Sequence, residues 1–182
     1  DIAARGNLCT VDGNGLLMDR RAGRLPTSES TSVVQRLAQI EVPGVNALVY
    51  LVKDYRFVLV LRADDLGEEV SGTDPQVEGV VPLEAKALDT GSAKTAAAAN
   101  SFVDSARSVL RDCEKANMVL LRGFSQLPSL PDMGDAYKLN PAAIAAYPMY
   151  RGLGDVVRMN VLKTGSTFDD ELDTLHQSLE DH

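Results

Sequence analysis

Ala47-Leu48-Val49-Tyr50-Leu51-Val52-Lys53, Asp54-Tyr55, Arg56-Phe57-Val58-Leu59-Val60-Leu61-Arg62 is the stretch on which the fold turns. Two runs rich in valine and leucine, each too short for an ordinary helix, flank a tight Asp54-Tyr55 connection, which predicts adjacent antiparallel strands over 47–53 and 56–62. On the N-terminal side, Val33, Val34, Leu37 and Ile40 recur at helical spacing after Pro26, with Thr27 or Ser28 as cap, until Pro43-Gly44 stops the helix. Further back, 7–11 and 16–18 flank Asp12-Gly13-Asn14-Gly15, a hairpin signal. On the C-terminal side, 64–91 is acidic, contains glycine and lacks periodicity, which predicts a long surface excursion of the kind that often carries function. Ser92 then opens the longest helix, whose face runs through Ala99, Phe102, Val103, Ala106, Val109, Leu110 and Cys113, and 117–122 reads as a strand. Taken from Leu16, the order is strand, helix, strand, strand, helix, strand. That is the split arrangement of an α/β plait: a mixed α/β (α+β) fold of two layers, with helices on one face of a mostly antiparallel sheet.

Beyond Pro128 the apolar segments shorten and Pro131, Pro141 and Pro148 punctuate them, so a boundary is expected between 125 and 135, dividing the chain into 1–130 and 131–182. The tail reads as a strand at 142–146, a short helix near Tyr150, a strand at 159–162, and a last helix from Thr167 through Leu172, Leu175 and Leu179. A chain of 182 residues can bury one good core with an appendage, and this strand-helix-strand-helix tail is too small to cover both its faces alone. Gly165-Ser166-Thr167 superficially offers an anion-binding helix start, but Asp169, Asp170 and Glu171 already complement the helix dipole, so capping is the expected role.

Composition narrows the function classes. A net charge of −8 argues against binding a nucleic-acid backbone. No apolar run approaches the roughly 18 to 20 residues of a membrane span, and the opening Asp1-Ile2-Ala3-Ala4-Arg5 has no signal-peptide pattern. Cys9 and Cys113 stand far apart, which fits a reducing, cytoplasmic setting better than a disulfide framework. His176 and His182 are the only histidines, so no histidine-rich metal site is expected in this chain. A nucleophile elbow, a glycine-lysine phosphate loop and Cys-x-x-Cys are all missing from the sequence.

The arginines point the other way. Arginine outnumbers lysine twelve to six, and Arg5, Arg20, Arg21 and Arg24 fall in a lysine-free opening that the hairpin would gather at one end of the sheet. A guanidinium is a planar fork that grips phosphate or carboxylate with two bonds, so such a cluster in an acidic chain suggests a small anionic ligand. Arg56 and Arg62 lie an even distance apart on one strand and share a face, while Arg122-Gly123-Phe124 is expected just after the last plait strand. Asp74, in Thr73-Asp74-Pro75, either orients a ligand hydroxyl, acts as a base, or simply starts a turn.

Ala4-Arg5-Gly6-Asn7 with Thr10-Val11-Asp12, then Asp19-Arg20-Arg21-Ala22-Gly23-Arg24, Thr73-Asp74-Pro75, Leu121-Arg122-Gly123-Phe124 and Ala146-Tyr147-Pro148-Met149-Tyr150-Arg151-Gly152 follow one another in an order that resembles the archaeal-type cofactor-independent phosphoglycerate mutases of the alkaline phosphatase superfamily. The resemblance implies interconversion of 3-phosphoglycerate and 2-phosphoglycerate, in glycolysis and gluconeogenesis, through a phosphoserine enzyme. Two divalent metal ions, manganese by the same comparison, would serve the intact enzyme, with the serine and the metal ligands outside this chain and no catalytic residue or metal site within it. Residues 1–130 would then be an inserted substrate-binding cap and 131–182 a strip of the metal-binding domain, completed by the rest of the same polypeptide. Arg5, Arg20, Arg21, Arg24 and Arg122 would hold the carboxylate and phosphate, Asn7 and Asp19 would orient them, and Arg56 would join them. Two departures stand out: Tyr55-Arg56 where the family often has His-Arg, and Arg158-Met159 where it often has Gly-Met. The alternatives are the cap of another phosphate or phosphonate enzyme of that superfamily and a stand-alone anion-binding module.

Overall fold

The computed structural model describes residues 1–179 and divides into two units, Asp1–Gln126 and a second from Leu127 onward. In the first, alternation fixes the sheet. Along β4 (Arg56–Arg62), Phe57, Leu59 and Leu61 are fully buried while Arg56, Val58, Val60 and Arg62 face the other way. β3 (Asn46–Lys53) pairs antiparallel with β4 through the Asp54-Tyr55 turn, where Asp54 takes φ 54°. On its other side β4 pairs antiparallel with β1 (Ile2–Val11), and β1 in turn with β5 (Met118–Ser125). The spatial order β3-β4-β1-β5, all antiparallel, is that of the plait.

The strand that opens the plait is therefore β1, and not the one beginning at Leu16. β2 (Leu17–Asp19) is a three-residue edge on β1, so the expected hairpin forms but only its first arm enters the main ladder. The arm is also longer than its apolar run: Arg5, Gly6 and Asn7 interrupt the hydrophobic pattern without interrupting the pairing. Gly6 is required by space, because a Cβ there would lie 2.2 Å from the Phe57 ring.

Both helices of this unit pack on the face that carries Phe57. α2 (Ala93–Val109) sets Phe102 against Phe57 with ring centroids 6.5 Å apart, and α1 (Thr27–Leu37) packs on β3 and α2. Neither Thr27 nor Ser28 caps α1; Pro26 occupies the cap position, and the Thr27 hydroxyl instead accepts the Asp54 N–H at 2.8 Å, tying the helix start to the β3–β4 turn. The excursion over 64–91 has no regular element before its end. It lies along β5, where Thr73 donates its N–H to the Leu121 carbonyl (2.7 Å) and its hydroxyl accepts the Leu121 N–H (2.8 Å). It also meets β2, where Gly79 and Val80 bond to the Leu17 main chain.

The second unit contains α3 (Met133–Tyr137), β6 (Ala142–Ile144), α4 (Pro148–Val156), β7 (Asn160–Leu162) and α5 (Phe168–Ser178), with β6 and β7 parallel. The expected order of strand, helix, strand, helix is present, preceded by the short α3. Thr167 and Asp170 form a reciprocal capping box at the start of α5, as the acidic first turn predicts. Leu139, Met149, Tyr150, Leu153 and Phe168 remain exposed in this unit. The last three residues, His182 included, lie outside the described residues.

Candidate functional site on the open face of the plait

Register brings four of the expected residues, Arg5, Asn7, Arg56 and Arg122, onto one face. With Phe57, Leu59 and Leu61 turned toward the helices, the opposite face of β1 carries Arg5 and Asn7, that of β4 carries Arg56, and that of β5 carries Arg122. Arg5 stands directly opposite Arg122 across β1–β5, and Asn7 directly opposite Arg56 across β1–β4. Arg122 lies inside β5 rather than after it; Gly123, at φ 63°, follows it where the register with β1 shifts.

Asp74, for which the sequence offers a hydroxyl-orienting, basic or turn-forming role, is the hub of this face. Its side chain, only 2% exposed, accepts from Arg20 Nε (3.0 Å) and Nη2 (2.8 Å) in a bidentate fork, and from the Gln76 N–H (2.9 Å). Arg122 Nη1 approaches the same carboxylate at 3.9 Å. Burial alone would raise the Asp74 pKa. The Arg20 hydrogen bond, the Gln76 amide and the charges of Arg20 and Arg122 outweigh burial and hold it below the ordinary carboxylate value. Asp74 is therefore held as an anion at neutral pH, with a lowered proton affinity. One carboxylate is thus shared by two guanidiniums, Arg20 and Arg122, and Glu78 adds to the negative potential at Arg20.

Asp19 orients main chain instead of a guanidinium. Its carboxylate accepts the N–H groups of Arg21 and Gly23 (both 2.7 Å), shaping a short 3-10 turn at 22–24 in which Ala22, Gly23 and Arg24 all take positive φ. Arg21 and Arg24 are exposed on that turn, which lies toward Lys115: a Cβ on Gly23 would be 3.6 Å from the Lys115 side chain. Among the described residues, neither shares a partner with Arg20 or Arg122. Arg62 closes on Asp1 (2.7 Å) at the far end of β4.

At the other end of β4, Tyr55 and Arg56 hold each other. The Arg56 guanidinium lies 4.4 Å from the Tyr55 ring centroid, donates to the Tyr55 hydroxyl (2.8 Å) and stands 3.8 Å from Asp54. Asn7 Oδ1 and Arg56 Nε are both buried without a hydrogen-bond partner among the described residues. Cys9, on the same face, is fully buried; burial first, then the charges of Asp74 and Asp19, push its thiol pKa far up. No group of three or more His, Cys, Asp or Glu side chains able to hold a metal occurs among the described residues, so they do not fit a metal site.

The fold and the charge pattern define a class: a two-layer plait whose open face is cationic, joined to a second small α/β unit. The family is then fixed by comparison. The sequence model described as 2,3-bisphosphoglycerate-independent phosphoglycerate mutase matches residues 1–116, and the chain belongs to that family. It is 44% identical over 182 residues to a protein of Thermosipho melanesiensis and 47% identical over 164 residues to one of Thermus thermophilus, both named probable 2,3-bisphosphoglycerate-independent phosphoglycerate mutase. These alignments cover 99% and 89% of this chain but 45% and 40% of those proteins, so the chain spans less than half the length of the curated relatives it matches. A cofactor-independent phosphoglycerate mutase from Thermoplasma acidophilum shares the fold over all of this chain and 52% of its own, with a TM-score of 0.68 at 23% identity.

Proposed function

We propose that this chain is the substrate-gripping part of a phosphoglycerate mutase that interconverts 3-phosphoglycerate and 2-phosphoglycerate, acting together with the rest of such a polypeptide. The observation that carries the reading is the shared face on which Arg20 and Arg122 converge on buried Asp74 while Arg5 stands opposite Arg122. A mutase must keep the glycerate between loss of a phosphoryl group from one oxygen and its return to the other. Guanidiniums that grip the phosphate and carboxylate of the substrate, and then the carboxylate of the glycerate, oppose its escape while it reorients, and exclusion of water limits loss of the phosphoryl group. Within this division Arg5 and Arg122 meet the ligand, Arg20 fixes Asp74 and contributes charge, and Arg56 with Asn7 borders the site.

The phosphoserine nucleophile and the two divalent ions, manganese by family resemblance, belong on this reading to the rest of the polypeptide, and no step is assigned to a metal here. Residues 1–130 act as the cap, and 131–182 as a strip of the metal-binding domain whose exposed Met149, Tyr150, Leu153 and Phe168 the remainder covers. The ligand is a small molecule, with no nucleic acid or membrane partner. No described helix is long and apolar enough to cross a membrane, and the free thiols of Cys9 and Cys113 support a reducing, cytoplasmic setting.

The test is conversion of 3-phosphoglycerate by the full-length protein supplied with manganese. Formation of 2-phosphoglycerate that Arg122→Ala depresses supports the proposal, whereas release of inorganic phosphate with no 2-phosphoglycerate overturns it.

A further inference from the structure

Two polar atoms on the open face have no partner, and they are of opposite kinds. Asn7 Oδ1 only accepts and Arg56 Nε–H only donates, yet both are buried without a hydrogen bond among the described residues. Their residues are direct cross-strand partners on β1 and β4, and both side chains leave the same side of the sheet. Asn7 as a whole is 7% exposed, while the Arg56 side chain keeps 26%, so Arg56 itself borders solvent. Buried polar atoms are nearly always paired, and two orphans side by side point to a group that the protein itself does not supply.

The chemistry of that group follows from the pair. A carboxylate or phosphate oxygen would satisfy Arg56 Nε but would face the lone pairs of Asn7 Oδ1. An ammonium would satisfy Asn7 and be repelled by Arg56. A hydroxyl satisfies both with one atom, donating its proton to Asn7 Oδ1 and accepting from Arg56 Nε–H. Arg56 is held for this by the Tyr55 ring and hydroxyl, so little freedom is lost when a ligand arrives.

We infer that Asn7 and Arg56 form a hydroxyl-recognising subsite beside the arginine cluster, which fixes a phosphorylated hydroxy acid by its free hydroxyl while the cluster holds its charges. The inference rests on the proposed function and adds the specificity element to it: the ligand class is a phosphorylated hydroxy acid, as distinct from any small dianion.

The experiment compares two ligands by calorimetric titration of the full-length protein: 3-phosphoglycerate, and 3-phosphooxypropionate, which has the same charged ends and lacks the hydroxyl. Wild-type protein should prefer 3-phosphoglycerate by roughly tenfold or more, because a site built around a hydroxyl leaves its own polar atoms unpaired when the hydroxyl is missing. Asn7→Leu should remove the preference, and Asn7→Asp, which keeps an acceptor oxygen, should retain the ratio even if its charge weakens both ligands. Arg56→Met gives a second route to the same loss. Equal affinity of the wild type for the two ligands needs no variant to fold and overturns the subsite alone. A preference that survives Asn7→Leu, or is lost in Asn7→Asp, also overturns it. If neither ligand binds, the proposed function fails and the subsite with it.

Discussion

Replacing Asp74 by asparagine keeps the size of the side chain and removes its charge. In the wild type the carboxylate accepts two bonds from Arg20, at 3.0 and 2.8 Å, and one from the Gln76 amide, with Arg122 at 3.9 Å. Asparagine retains a single acceptor oxygen and turns an NH2 group toward a guanidinium, donor against donor. A hydrogen bond to a charged group contributes about 1.5 to 3 kcal/mol. Because the Arg20 side chain is 25% exposed, water replaces part of the loss, and Asp74→Asn should cost about 2 kcal/mol. That is a shift of up to roughly 30-fold in the folding equilibrium. The pH dependence has a definite sign. The folded-state pKa of Asp74 lies below its ordinary value, so its contribution is complete above the unfolded carboxylate pKa of about 3.9 and disappears as pH falls through the lower folded value. Urea titrations should therefore show a lower midpoint with unchanged slope for Asp74→Asn near neutral pH, and a gap that narrows on acidification below about pH 4. A neutral-pH midpoint equal to wild type, or a gap that stays constant down to about pH 2, would refute the assignment of Asp74 as an ionised hub.

Gly6→Ala should be among the most damaging small changes in the chain, because the added methyl would sit 2.2 Å from the ring of fully buried Phe57, itself packed on Phe102. Overpacking of this kind costs ~3 kcal/mol, read as a lowered denaturation midpoint; wild-type stability would show that the ring can move aside. The thiols should separate under an alkylating reagent at neutral pH: Cys113, half-buried, reacts in the folded protein, whereas Cys9, buried and with its pKa pushed far up, reacts only on unfolding. Mass mapping of the labelled peptides would read this directly, and labelling of Cys9 in the native protein would count against the burial of that face.

The elements that hydrophobic period alone can specify were legible in the sequence. The strands β3 and β4, the helix through Phe102 and the capped helix after Thr167 all fall where alternation, helical spacing or capping chemistry places them. The first strand of the plait was not, because Arg5, Gly6 and Asn7 break its apolar run for reasons that belong to the site and to the Phe57 ring. A strand interrupted by charge and glycine reads poorly from its hydrophobic pattern, whereas the shorter arm from Leu16 to Met18 is an unbroken apolar run. The cap of α1 misled for a related reason: a threonine after proline has the chemistry of a cap, but the Asp54 turn takes its hydroxyl.

The site was legible as a list and illegible as a geometry. The hairpin signal predicts a gathering of Arg5, Arg20, Arg21 and Arg24, but which arginines share a face depends on register, and a slip of one residue along β1 would turn Arg5 and Asn7 into the helix layer. Asp74 lies 54 residues from Arg20, in a segment without periodicity, so nothing local marks it as a partner. The docking of Thr73 on Leu121, with Gly79 and Val80 on Leu17, carries it to the sheet edge. The same docking sets one buried carboxylate beside the arginines of the open face. Asp74 offsets part of the repulsion between the Arg20 and Arg122 guanidiniums. On the proposed function, a carboxylate bound bidentately by Arg20 and approached by Arg122 at 3.9 Å orients both guanidiniums in advance, which lowers the ordering cost of gripping an anionic ligand.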